Sequence, residues 1–318
     1  TVSTGNLWDL TYWWSSKTFT ASTVTNWWAL SVASNNTNVT TASISNGTVT
    51  VNPVNAWNST ITVIAATTAC YNTWTAPVTG NVAKAANTLS VSAKSLTYNG
   101  AAQALVTASN AQWTVYYAVG TQLTSSNYST AWSTTIPSKT DAGTYTVYYY
   151  TPGNTNYNAK NGSVNVTIAQ YNLSNATIGS VSAVTYNGSA HTPTPAVTVP
   201  IPSGSSTTLT NGTHFTYGYT NNTNAWTATI TVTAKAGTNY TGSKSKNFTI
   251  NKKAIQVTNG NYNGNYDGQS HTITLTVTEP SGTTIYYSTT TTLTSSNYSS
   301  AWSTTKPSRT EGGTTTVY

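Results

Sequence analysis

Charge is what this chain has least of. Its 318 residues include twelve Lys and Arg and five Asp and Glu, 5% charged in all, against roughly 25% in an average soluble domain. A carboxylate-pair active site or an EF-type calcium loop needs clustered acids. Here Asp9, Asp141, Asp267, Glu279 and Glu311 are dispersed along the chain. A single cysteine, Cys70, rules out an intrachain disulfide and a multi-cysteine zinc site. Methionine is absent and phenylalanine occurs three times. No run approaches the ~18 apolar residues of a membrane-crossing helix, and no signal-peptide pattern opens the chain. Helix signals are missing as well, since no window sets Leu, Ala, Glu and Lys at helical spacing between caps.

What is present favours sheets. The hydrophobic fraction is 37%, carried by 22 Tyr, 11 Trp and β-branched residues, the types that suit a pleated surface. Thr, Ser and Asn supply the polar surface that charge does not. Regular spacing of Val, Ile and Tyr argues for folded domains rather than disorder. The net charge of +7 reflects scarce acids more than abundant bases. Lys244, Lys246, Lys252 and Lys253 form the one basic cluster, at a hand-over between repeats. Phosphate recognition needs a concentrated basic face, so nucleic acid is not an expected partner.

Internal repetition is strong. LTSSNYSTAWSTTIPSKTDAGTYTVY from Leu123 returns as LTSSNYSSAWSTTKPSRTEGGTTTVY from Leu293. The separation of about 170 residues reads as two periods of about 80 to 85, because other landmarks recur between the copies. Tyr98-Asn99-Gly100 returns as Tyr186-Asn187-Gly188 and as Tyr266-Asp267-Gly268, each a tight-turn signal. Asn156-Tyr157 returns as Asn239-Tyr240, with Cys70-Tyr71-Asn72 as the counterpart in the first unit. Segments such as Thr48-Val49-Thr50-Val51, 163–168 and 227–232 alternate apolar and hydroxylic residues, the period of a half-buried strand. Many short strands between Asn-Gly, Asn-Asn and Pro turns predict antiparallel sandwiches.

Four units follow: 1–86, 87–170, 171–251, and 252–318 as a truncated one. The expected fold class is all-β, with tandem immunoglobulin-like β-sandwich domains arranged end to end. The chain starts at Thr1 without an initiator methionine and stops within an apparent strand at Val317 and Tyr318, so it is expected to be part of a longer polypeptide. Linkers AKAAN, AQYNL and INKKA leave few residues between strands, which limits bending.

These residues resemble bacterial immunoglobulin-like surface repeats. SVASNNTNVTTASISNGTVTV and STITVIAATTACYN look like the group 2 bacterial immunoglobulin-like domain. Units two and four, with YNG or YDG openers, LTSSNYS, AWSTT and TVY, look like MBG-type repeats, and YNGSAHTPTPAVTV with GTNYTG looks like a related immunoglobulin-like repeat. The resemblance implies a fold and a spacer role and brings no catalytic residue with it. Where such repeats usually place Gly after Asn-Ala or Asp-Ala, this chain has Trp57 and Trp226, while Gly143 and Gly313 are kept. A Trp in a positive-φ position would be strained.

No catalytic, cofactor-binding or metal-ligating set emerges. His191, His214 and His271 are dispersed and accompany no Ser-His-Asp order, phosphate loop or dinucleotide fingerprint. Sequons at Asn38, Asn46, Asn127, Asn211 and Asn297 arise from composition. The candidate contact residues are aromatic: Trp13, Trp14, Trp27, Trp28, Trp57 and Trp226. One Trp per unit, such as Trp113, is expected to fill a core. The expected role is a non-enzymatic extracellular or cell-surface spacer, stalk or fibre component with neighbouring copies or domains as partners. The alternatives are a carbohydrate-binding adhesin, with glycans as partner, and a phage virion fibre or decoration protein.

Overall fold

The computed structural model describes residues 2–4, 9–23, 29–130, 132–279, 282–300 and 302–318. Trp27 and Trp28 lie outside the described residues. The chain divides into two compact units. The first is Thr1–Gly179 with Ala196–Tyr217 and Val232–Lys244; the second is Ser180–Pro195 with Gly218–Thr231 and Ser245–Tyr318. Among the described residues the only helix is a single 3-10 turn, Leu173–Asn175, so none is long and apolar enough to cross a membrane.

In the first unit, two four-stranded sheets form the leading sandwich. One runs Val2–Thr4, Lys17–Thr23, Thr48–Pro53, Thr40–Ser45, and the other runs Asp9–Thr11, Trp74–Ala83, Trp57–Ala65, Leu30–Ser34. Alternation dictates what is buried. Ser59, Ile61, Val63 and Ala65 point inward from one strand and Ala76, Val78 and Val82 from its neighbour. Ile61, Val63, Ala76, Val78 and Val82 meet Leu10, Phe19, Val49 and Val51 in one core, where each large aliphatic contributes about 1.5–3 kcal/mol. Two hydroxyls are buried with it and are satisfied. Thr40 Oγ1 donates to Ser59 Oγ at 2.7 Å, and Ser59 Oγ donates to Asn35 Oδ1 at 3.0 Å.

The next sandwich repeats the plan. Its larger sheet runs Leu96–Thr97, Lys160–Ala169, Gly143–Thr151, Tyr116–Val119. Leu105, Val106, Tyr117, Val147, Val166 and Ile168 fill the core. Tyr116, Tyr117 and Ala118 pair across strands with Tyr150, Tyr149 and Tyr148, an aromatic ladder. Trp113 corrects the expectation of a core tryptophan. It sits in the loop before Tyr116–Val119 and is 54% exposed, because Val115 and Tyr117 supply the inward positions. The unit also holds the sheet Thr177–Ile178, Val197–Val199, Thr207–Leu209. Leu173, Ile178, Val197, Val199, Leu209 and Phe215 are buried around it.

In the second unit, Val184 and Thr185 pair with Ile250 and Asn251, over a core of Ala228, Phe248 and Ile250. Gln256–Gly260 pairs with Thr274–Glu279, and His271–Thr272 with Ser308–Arg309.

One pairing recurs in three of the sandwiches. A short edge strand runs parallel to the closing strand of its sheet, at Leu10↔Val82, Leu96↔Ile168 and Val184↔Ile250, whereas Trp57–Ala65 with Trp74–Ala83 and Gly143–Thr151 with Lys160–Ala169 pair antiparallel. Two facing, mostly antiparallel sheets closed in this way make the immunoglobulin-like sandwich. The fold is therefore all-β, a tandem series of such sandwiches.

Candidate functional site

The most ordered chemistry outside the cores lies where one sandwich meets the next within the first unit. Asn156 and Tyr157 occupy the loop between Gly143–Thr151 and Lys160–Ala169. Asn156 Oδ1 accepts the Ala56 backbone N–H at 2.8 Å, and its Nδ2 donates to Asn55 Oδ1 at 2.8 Å. The Asn156 carbonyl accepts the Ala85 N–H at 2.8 Å, and Asn158 N–H donates to the Ala85 carbonyl at 2.9 Å. Tyr157 meets the Tyr12 ring edge-on, centroids 5.6 Å apart. Lys84 Nζ donates to the Asn154 carbonyl at 2.8 Å.

Eighty-three positions later in sequence, the same contacts recur around Asn239 and Tyr240. Asn239 Oδ1 accepts the Ala142 N–H at 2.7 Å, and Nδ2 donates to Asp141 Oδ1 at 3.0 Å. Its carbonyl accepts the Tyr171 N–H at 2.9 Å. Gln170 Nε2 donates to the Thr238 carbonyl at 2.7 Å. Tyr240 stands edge-on to Tyr98 at 5.6 Å. Burial pushes the Tyr240 hydroxyl up to about 12, with the neighbouring Tyr98 and then Tyr171 adding to the shift.

The sequence marked Asn156-Tyr157 and Asn239-Tyr240 as repeat landmarks without seeing this role. The signal was the fixed pairing of an Asn-Tyr with an upstream Asn-Ala or Asp-Ala. A side-chain amide presents an acceptor and a donor side by side, which a backbone N–H followed by a side-chain oxygen matches.

Of the candidate aromatic residues, Trp13, Trp14, Trp57 and Trp226 are 75%, 73%, 70% and 76% exposed. Trp13 touches Tyr12 edge-on at 5.9 Å. Among the described residues, no ring contact brings these four tryptophans together. Trp226 has φ +150°, beside Gly143 at +158° in the equivalent position, while Trp57 does not take a positive φ.

Asp267 and His271 meet at 2.8 Å, with the His271 ring stacked on Tyr262 at 3.9 Å. The Gln269 backbone N–H, and after it His271, hold the Asp267 carboxyl below its ordinary range. Among the described residues, no group of three or more His, Cys, Asp or Glu is placed to hold a metal ion. Two sequon asparagines serve their own turns: Asn127 Nδ2 donates to the Gln122 carbonyl at 2.9 Å, and Asn297 Nδ2 to the Thr292 carbonyl at 3.1 Å.

No protein-family model matches the chain, and no curated protein matches it. Among solved structures, the fibronectin(III)-like modules of Clostridium thermocellum CbhA are 13% identical. That match covers 54% of this chain and 95% of theirs, with a TM-score of 0.19. Bacteroides ovatus SGBP-B, solved with a mixed-linkage heptasaccharide, is 11% identical over 81% of this chain and 70% of its own, TM-score 0.23. Domains 4–9 of the surface layer protein SbsC are 13% identical over 91% and 56%, TM-score 0.22. At these scores the likeness assigns no role.

Proposed function

We propose that the chain is a non-enzymatic mechanical spacer of an extracellular surface protein, built from four immunoglobulin-like repeats at 1–86, 87–170, 171–251 and 252–318. The first is of the group 2 bacterial kind and the second and fourth are of the MBG kind. The observation that carries this reading is the parallel pairing at Leu10↔Val82, Leu96↔Ile168 and Val184↔Ile250. In these three sandwiches a short strand near the chain's entry and the strand on which the chain leaves are hydrogen-bonded neighbours running the same way. Tension between the two ends therefore loads those bonds in shear, all together, rather than opening them one at a time. The absence of clustered acids leaves the sandwiches without the residues most hydrolytic chemistries need.

Single-molecule stretching tests this. The expected trace is a series of separate rupture events, each releasing about 25–30 nm for a repeat of about 80 residues. Unfolding in one step, or with no resolved rupture, would sink the spacer reading.

A second reading, carbohydrate binding, rests on Trp13, Trp14, Trp57 and Trp226, whose exposed rings are suited to stack on sugar faces. A glycan array separates the two. Binding that is lost on Trp57→Ala or Trp226→Ala would favour the adhesin, and an array without signal would leave the spacer.

A further inference from the structure

The second unit contains a cleft of about 560 Å³ lined by Tyr186, Asn224, Ala225, Lys252, Lys253 and Glu279, among others. Each of the first five has two counterparts in the filled junctions of the first unit. Tyr186 N–H donates to the Asn251 carbonyl at 2.9 Å, as Tyr12 does to Ala83 at 2.9 Å and Tyr98 to Ala169 at 2.8 Å. This fixes the alignment. Asn224-Ala225 precedes the strand Trp226–Ala234 as Asn55-Ala56 precedes Trp57–Ala65 and Asp141-Ala142 precedes Gly143–Thr151. Counting from Asn251 as from Ala83 and Ala169, Lys252 corresponds to Lys84 and Gln170, and Lys253 to Ala85 and Tyr171.

In the filled junctions these positions are all engaged by one turn. The tyrosine ring receives a second tyrosine edge-on, the alanine N–H and the preceding Asn or Asp clasp one asparagine amide, and the linker N–H bonds that asparagine's carbonyl. At the cleft the same groups face open space. Among the described residues the backbone N–H groups of Ala225 and Lys253 have no acceptor, and Tyr186 is 37% exposed. Lys253 Nζ is paired with Glu279 at the rim.

We propose that this cleft is an acceptor site for the Asn-Tyr turn of an immunoglobulin-like repeat. The tyrosine packs on Tyr186, and the asparagine amide accepts from Ala225 N–H and donates to Asn224 Oδ1. The asparagine carbonyl accepts from Lys253 N–H, and Lys252 reaches a carbonyl earlier in the turn. The recognition is peptidic and nearly uncharged. It stands on junction geometry alone and does not depend on the mechanical role.

The probe is a head-to-tail cyclic peptide carrying residues 153–158, Gly-Asn-Thr-Asn-Tyr-Asn, added to the full chain labelled with nitrogen-15. Saturable shifts of the Ala225 and Lys253 amide resonances are expected, with a dissociation constant in the range of about 1 mM, because one ring and a few hydrogen bonds must offset the loss of the peptide's freedom. Replacing the peptide's second Asn by Ala should abolish the shifts. Tyr186→Ala in the chain should weaken binding about tenfold while the Ala56 and Ala142 resonances stay in place, showing that the fold is kept. No saturable shift at Ala225 and Lys253, or equal binding of the Asn-to-Ala peptide, overturns the proposal.

Discussion

Tyr240 meets Tyr98 edge-on, with ring centroids 5.6 Å apart and planes at 79°, and is itself only 4% exposed. Its proton is therefore held in the folded protein beyond the point at which an unfolded tyrosine loses it.

The sign of the resulting pH dependence is fixed. An unfolded tyrosine ionises near 10, and Tyr240 in the fold ionises at about 12. Stability contributed by this group is complete below pH ~10 and is lost as pH rises from about 10 to 12. Urea midpoints followed by circular dichroism should be flat through neutral pH and fall in that window. Tyr240→Phe should remove part of the fall. A remainder is expected, because burial also raises Tyr117, Tyr150 and Tyr219.

The asparagine clasp makes a separate prediction. Asn156→Ala and Asn239→Ala should each cost about 1–3 kcal/mol in chemical denaturation, since the N–H of buried Ala56 or half-buried Ala142 loses its acceptor. Hydrogen exchange at Ala56 or Ala142 should quicken in the matching variant. Asn239→Asp should be worse than Asn239→Ala at neutral pH, because it sets a carboxylate against Asp141.

Trp226 pays no visible return for its backbone. At φ +150° it sits where L-residues are strained by about 1–3 kcal/mol, against about 0.5–1 kcal/mol for introducing glycine into a strand. Trp226→Gly should raise the melting temperature slightly, and Trp57→Gly should lower it. A loss from both would show that the Trp226 ring makes a contact worth more than the strain.

Trp132 and Trp302 test how far repeat equivalence extends to energetics. Each stands edge-on to a tyrosine, Tyr116 at 4.7 Å and Tyr286 at 3.8 Å. Ser133 and Ser303 bond the following Tyr117 and Tyr287 in both directions. Because Trp132 is 41% exposed, Trp132→Ala should cost about 1–2 kcal/mol, short of the 3–5 kcal/mol of a fully buried aromatic. Urea denaturation would measure it.

Strand content and the alternating faces were legible because period two survives in almost every strand, as in Trp57–Ala65 and Trp74–Ala83. The LTSSNYS element was legible as a repeat, and its turn is the same in both copies: Thr124 N–H and Thr294 N–H each donate to the Oδ1 of Asn127 or Asn297 at 2.7 Å. Trp113 was misplaced because size and hydrophobicity do not say which way a loop residue turns. The junction clasp stayed hidden for a different reason. Asn156 and Ala56 are 100 positions apart, and nothing local to either residue records the meeting. Trp57 and Trp226 look equivalent in sequence, yet only Trp226 takes the glycine-like backbone, a difference set by surroundings rather than by the dipeptide before them.

The clasp reads mostly main chain. Asn156 and Asn239 take a backbone N–H and a backbone bond to the linker, and the one side chain they require of the neighbouring sandwich is an Asn or Asp oxygen. Beyond that oxygen, the tyrosine packed edge-on at Tyr12 or Tyr98 and the Lys84 or Gln170 donor, these contacts ask nothing of the sandwich's other surface side chains. Genes encoding such units can therefore lose, duplicate or reorder them, and each new neighbour still finds a joint it can engage.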